Sequence, residues 1–221
     1  MIITFAWKGS FPVFTLEEIL RGHLTAAAGV VSQITVIPLF EEYLRQGYYP
    51  FYKEALVSYP LRLQQIITTV LENDLPAVEK VEYVQSVIRM FQVLKRAALL
   101  IMLYSGKNNM QQLAKPEKVY LDNTNLMYAL SSSADIGNIR ETFFANQLKQ
   151  NHQIAFSGQG DFRIDDVYTF EVGGKNKMFE QIKDVPNSYL AIDGIEYGTG
   201  FLFGCLDFCI SLNTIHSSGH Q

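Results

Sequence analysis

Apolar positions recur at helical spacing through the first part of the chain and at strand spacing further on. Leu16, Ile19 and Leu20 form the apolar stripe of a short helix, with Thr15 and Glu18 as a capping box and Gly22 as its stop. Residues 24 to 36 are small and apolar without a period and predict no element. Pro38 is expected as the first residue of a helix through Leu39 to Gln46, closed by Gly47 where a left-handed residue is wanted. Leu63, Ile66, Ile67 and Val70 predict a helix from Leu61 to Glu72, ended by Asn73, Asp74, Leu75 and Pro76. Val84, Val87, Ile88, Phe91 and Leu94 form the stripe of a third helix between Val78 and Ala97.

The unbroken apolar run from Ala98 to Tyr104 reads as a buried strand, followed by a turn at Ser105 to Asn109. Val119 to Leu121 form a short strand after Pro116, and Asp122 to Asn125 offer an N-cap to a helix over Leu126 to Leu130. Ser131 to Ser133 are a loop, and Glu141 is expected to open an amphipathic helix carrying Phe144 and Leu148. From Asp161 to Lys177 the period becomes two. Phe162 and Ile164 alternate with charged residues, a polar turn falls at Asp165 and Asp166, and Val167, Thr169 and Glu171 face away from Tyr168, Phe170 and Val172. The expected fold class is α+β, a helical N-terminal part followed by a small α/β domain.

Composition narrows the function classes. With 48% hydrophobic and 18% charged residues over 221 positions, the chain belongs with ordinary globular proteins. Its net charge of -4 gives no global attraction for nucleic acid, so DNA or RNA binding would need a local patch. Cys205 and Cys209 have no matching His or Cys pair, which indicates neither a zinc site nor a disulfide framework, and a reducing cytoplasm is the simplest setting. The N-terminus lacks signal-peptide character, and no apolar run of about 18 residues suggests a membrane span. The aromatic run from Tyr48 to Tyr52, beside Arg45 and Lys53, reads either as packing between helices or as a stack for bases.

The hairpin carries the candidate chemistry. Asp161 and Glu171 fall on paired strands and are followed at once by Lys175 and Lys177, a set that could hold a divalent metal with a phosphate beside it. The same residues also suit an ordinary polar turn and an exposed strand face.

This arrangement resembles the core of the PD-(D/E)xK nuclease fold, a restriction-endonuclease-like domain in which an Asp, and a Glu two residues before a Lys, hold the metal. In this chain Gly173 stands at the lysine position, and Lys175 or Lys177 would substitute. The resemblance implies Asp161 and Glu171 as ligands of magnesium or manganese, Glu141 as the helix-borne acid, Lys175 stabilising charge, and Gln181, at the start of a further helix, orienting.

Four segments in order, Leu39 to Pro50, Lys115 to Leu126, Arg140 to Phe144 and Phe170 to Lys177, are together similar to a prokaryotic family of AAA+-type ATPases. Its members carry a winged-helix segment and a C-terminal nuclease-like domain. Neither Gly106-Lys107 nor Gly174-Lys175 has the earlier glycine of a Walker A loop, so ATP is not expected as a ligand. The resemblance divides the chain into a lid-like helical region (1–80), a partial winged helix (81–114), the nuclease-like domain (115–200) and a frameshifted or disordered tail (201–221). The tail from Phe201 to Ile210 is what the family's apolar ending would give if read one base late. Residues after about Gly200 are therefore expected to be out of frame, which would make Cys205, Cys209, His216 and His220 accidents of the frame. Three roles stay open: metal-dependent action on nucleic acid, a catalytically inactive nuclease-fold module that binds or regulates, and a truncated product without function. Faces left by a missing ATPase half would seek a protein partner or self-associate.

Overall fold

The computed structural model describes residues 17, 20, 21, 35–54, 56–74, 84–105, 115–195 and 202–204. Of the expected first helix, only Glu17, Leu20 and Arg21 fall among them; they are helical, with Arg21 paired to Glu17 at 3.3 Å. Helix α1 (Val36–Arg45) buries Val36, Phe40, Tyr43 and Leu44. It begins two residues earlier than the proline signal suggests. Pro38 sits inside the first turn, where a missing N–H costs nothing because the first four donors have no helical partner. The expected stop holds, since Gly47 has φ +109°.

After a 3-10 turn at Pro50–Glu54, helix α2 (Tyr59–Thr69) buries Tyr59, Leu63 and Ile67, and its last turn widens into a π-helix at Val70–Asp74. Helix α3 is described over Val84–Arg96; the earlier part of its expected range, and Leu75 and Pro76 of the stop expected before it, lie outside the described residues.

The aromatic run packs. Tyr49 stacks on Phe51 with ring centroids 5.5 Å apart, and Phe51 meets Tyr59 at 5.6 Å. Burial pushes the Tyr49 and Tyr59 hydroxyls up to about 12 from the usual 10.0. Both are neutral in the folded and unfolded chain below pH 10, so their stabilising contribution is whole there. It is lost as the pH climbs towards 12, because the unfolded chain releases protons that the fold retains. A spectrophotometric tyrosine titration is expected to show a late class of hydroxyls near 12 that joins the normal class once the protein is unfolded in urea.

Strands β1 (Leu100–Leu103) and β2 (Lys118–Leu121) form an antiparallel pair, with Leu100 opposite Leu121 and Leu103 opposite Lys118. The rest of the expected turn after β1 lies outside the described residues. Helix α4 (Thr124–Leu130) is capped by Asn123, whose side chain accepts from the Leu126 N–H at 3.1 Å. Helix α5 (Ile136–Leu148) starts at Asp135, which accepts from the Asn138 N–H at 2.9 Å. Glu141 therefore lies inside the helix and does not open it. Nor is α5 half-exposed as an amphipathic helix should be, since every residue from Thr142 to Leu148 is buried.

The second sheet runs β3 (Ile154–Phe156), β4 (Phe162–Ile164), β5 (Tyr168–Gly173), β6 (Ser188–Ile192), β7 (Leu202–Phe203) in spatial as in chain order. The first three strands form an antiparallel meander, and β6 and β7 join in parallel. Asp165 and Asp166 turn the hairpin with φ of +51° and +59°, the left-handed pair that a tight hairpin requires. Phe162, Ile164 and Phe170 are fully buried, and Phe144 of α5 meets Phe162 at 4.8 Å and Phe170 at 5.1 Å. One apolar cluster runs from Val36 through Ile101 and Tyr120 to Ala191, so residues from the ranges 1–80, 81–114 and 115–200 share a core. The architecture is mixed α+β, with five α-helices and two small sheets among the described residues. No helix among them is long and apolar enough to cross a membrane. In the tail, only Leu202, Phe203 and Gly204 are described; the expected frame change, both cysteines and both tail histidines lie outside the described residues.

Candidate active site

Strand β2, helix α5 and the β4–β5 hairpin converge at one cluster of charge. The register that sets Phe162 opposite Phe170 brings Asp161, just ahead of β4, opposite Glu171 on β5. Asp161 is held there by its own backbone N–H, which donates to the Phe170 carbonyl at 2.9 Å, and by its Oδ2, which accepts from the Val172 N–H at 2.9 Å. Glu141 comes in from α5. Lys118 and Tyr120, two apart on β2, point to the same face.

The Lys118 ammonium donates to Glu141 Oε2 and to Asp161 Oδ1, both at 2.9 Å. The Tyr120 hydroxyl donates to the same Glu141 oxygen. Burial works against the Lys118 charge, but the hydrogen bonds to Glu141 and Asp161 outweigh it and hold its pKa above the ordinary lysine value. Tyr120 is pushed well above the ordinary tyrosine range by burial and by the Glu141 carboxylate beside it.

Glu171 is the deepest member, 2% exposed. Its Oε1 pairs with Lys177, and its Oε2 is buried with no hydrogen-bond partner. Burial raises its pKa, the Lys177 hydrogen bond opposes that, and the Asp161 charge adds to it. An unmatched buried carboxylate oxygen is costly, and this one can accept a further donor or a cation.

At Gly173 the space beside the strand is taken by Lys177. A Cβ built on Gly173 would stand 2.6 Å from Cγ and 2.7 Å from Cβ of Lys177, so the Lys177 stem fills the room that a side chain on residue 173 would take. The chain leaves β5 and turns back, with the Lys177 N–H donating to the Gly174 carbonyl at 2.8 Å, and this lays Lys177 over the strand end. Lys175 is placed elsewhere. It is exposed, and its stem lies against Gly194. Gln181 ends a 3-10 turn (Phe179–Gln181), where a helix was expected to start, and its side chain is exposed beside the fully buried Ile182. The structure thus brings together Glu141, Asp161 and Glu171, and adds Lys118, Tyr120 and Lys177. Of these additions, Lys118 and Tyr120 went unread in the sequence, although their alternation on a strand placed them on one face.

Among the described residues no three Asp, Glu, His or Cys side chains stand as a ready metal cage. The two lysine ammoniums occupy positions against the carboxylates that a cation would otherwise take. The donors themselves suit a hard divalent ion: they are all carboxylate oxygens, and Glu171 Oε2 is unsatisfied. A separate polar concavity is formed by Gln150, Asn151, His152, Gln153 and Asp165, where His152 Nδ1 lies 2.6 Å from Asp165 Oδ2. It ties the end of α5 to the hairpin turn.

No family model, curated protein or solved structure matches the chain.

Proposed function

We propose that the cluster is a divalent-cation site of a PD-(D/E)xK-like domain acting on nucleic-acid phosphodiesters, in a chain related to AAA+-type ATPases. The observation that carries this reading is the meeting of Asp161 and Glu171 on paired strands with Glu141 from α5 and a lysine laid over the Gly173 gap. The substrate class comes from the sequence resemblance.

Asp161 and Glu171 would hold magnesium or manganese. The ion, when bound, supplies a Lewis acid and lowers the pKa of bound water. Lys177 compensates Glu171, and its one-third exposure leaves its ammonium within reach of solvent and of an anion. Glu141, fixed by Tyr120 and Lys118, positions the far side of the site. A second reading, an inactive nuclease-fold binding module, is favoured by Gly173 itself, since no side chain leaves the strand at that position.

The test is a calorimetric titration of the whole chain with Mg2+ and Mn2+, followed by incubation with end-labelled single- and double-stranded oligonucleotides. Saturable binding that weakens at least about tenfold in Asp161→Ala and in Glu171→Ala is expected, from the loss of one of two charged ligands. Cleavage that tracks binding supports the nuclease reading, and binding without cleavage supports the inactive module. No binding by the folded wild-type chain would overturn the metal reading.

A further inference from the structure

We propose that Lys118 is a displaceable counter-ion built into the carboxylate site: a divalent cation loads by taking the place of its ammonium at Asp161. This rests on the metal-site reading above. Three carboxylates, Glu141, Asp161 and Glu171, face two ammoniums, Lys118 and Lys177, which leaves the cluster one negative charge. A divalent ion added with both lysines in place would meet the Lys118 ammonium at the oxygen it needs, since Nζ is 2.9 Å from Asp161 Oδ1. Like charges at such range repel strongly in a half-buried site.

The partners of each carboxylate show which contact can be given up. Asp161 keeps the Val172 N–H on Oδ2 when Lys118 leaves Oδ1, and Glu141 keeps the Tyr120 hydroxyl. Both carboxylates therefore stay anchored without the lysine, and the site does not need Lys118 to remain assembled. Lys118 in turn is not locked in. Its side chain is 29% exposed, and its Nζ is 6.0 Å from the ring centres of Tyr120 and Phe162, over which the ammonium can shift while keeping Glu141. Glu171, opposite Asp161 in the strand register and with Oε2 buried and unpaired, would supply the second oxygen for the incoming ion. Once the ion is in, the cluster carries one positive charge and suits a phosphodiester anion.

The test compares Mg2+ and Mn2+ affinity of the whole wild-type chain, Lys118→Met and Lys118→Arg by calorimetry, with side-chain NMR of the lysine ammoniums during a Mg2+ titration of the wild type. Lys118→Met keeps the stem without the charge and is expected to bind roughly tenfold more tightly, at an effective dielectric near 20 with solvent screening. Lys118→Arg keeps the charge and should not gain affinity. In the wild type the Lys118 ammonium signal should shift with Mg2+ saturation, while that of Lys183, paired with Glu180 on the surface, stays put. Equal or weaker binding by Lys118→Met, or a Lys118 signal unmoved at saturation, overturns this proposal and leaves the metal reading standing. Absence of binding by the wild type and Lys118→Met alike overturns both. Binding by Lys118→Met alone would show that the wild-type ammonium is a fixed occupant that the ion does not displace, and it too overturns the proposal.

Discussion

Asn125→Ala is expected to lower the unfolding free energy by about 4 kcal/mol, most of it from the groups the side chain leaves behind. Asn125 is 1% exposed and uses its whole amide. Its Oδ1 accepts from the Tyr48 N–H at 3.0 Å and from the Tyr59 hydroxyl at 2.6 Å. Its Nδ2 donates to the carbonyls of Tyr43 at 2.8 Å and Leu44 at 3.0 Å. Those two carbonyls belong to the last turn of α1, so Asn125 of α4 closes a helix end distant in the sequence. An alanine would leave two donors and two acceptors buried, each costing about 1–3 kcal/mol unless water enters. Urea unfolding followed by far-UV circular dichroism checks this. Tyr59→Phe removes one of the four bonds and should cost about 1 kcal/mol. Asn125→Asp keeps the acceptors but faces a carboxylate to two carbonyls, and should be at least as damaging as alanine. A loss of 1 kcal/mol or less in Asn125→Ala would mean that this amide is not the tie between α1, α2 and α4.

What the sequence disclosed and what it hid follow from the range of the interactions concerned. The β4–β5 hairpin was legible because its information is local: alternating Phe162, Ile164 and Phe170, with two aspartates able to take positive φ at the turn. Once that turn is placed, the opposition of Asp161 and Glu171 follows by counting. Lys118 was hidden. A lysine on a four-residue strand reads as solvent-facing, and its partial burial comes from Glu141 and Asp161, which reach it from later in the chain. Counting by twos from Glu171 reaches Lys175 and Lys177 equally well, but alternation ends where β5 ends at Gly173. Beyond it the turn decides, and it selects Lys177. The stripe of Phe144 and Leu148 suggests a helix that opens at Glu141, but the helix starts five residues earlier, at Ile136. Asp135, the actual cap, follows three serines that read as loop. Asn125 looked like one of several cap residues before α4. Asn123 does that work, which frees Asn125 to bond residues far behind it.

The double variant Gly173→Lys/Lys177→Ala is expected to recover most of what Lys177→Ala loses, and the size of that recovery measures how fully Lys177 replaces a strand lysine. Lys177→Ala alone strips the ammonium from Glu171, a carboxylate only 2% exposed, and an unpaired buried charge costs about 3–5 kcal/mol in fully enclosed pairs. Because the Lys177 side chain is 33% exposed, water already shares its charge, so a loss of about 2–3 kcal/mol is expected. Gly173→Lys alone should also destabilise, by about 1–3 kcal/mol, because its Cβ would meet the stem of Lys177 at 2.6 Å. Nothing in the backbone forbids a side chain there, since Gly173 lies in β5 and does not have a positive φ. What keeps residue 173 bare is occupancy. Removing the Lys177 stem vacates the space, and a lysine on residue 173 can then carry its ammonium to Glu171 from the strand. In a double-mutant cycle by urea unfolding, the two changes should therefore couple favourably by about 2 kcal/mol or more. Additive losses would show that Lys177 only neutralises Glu171 and that the place beside it cannot be served from the strand. Strong coupling, joined to restored Mg2+ affinity, would show that one ammonium position beside Glu171 is the invariant of this site, reachable from either of two points on the chain.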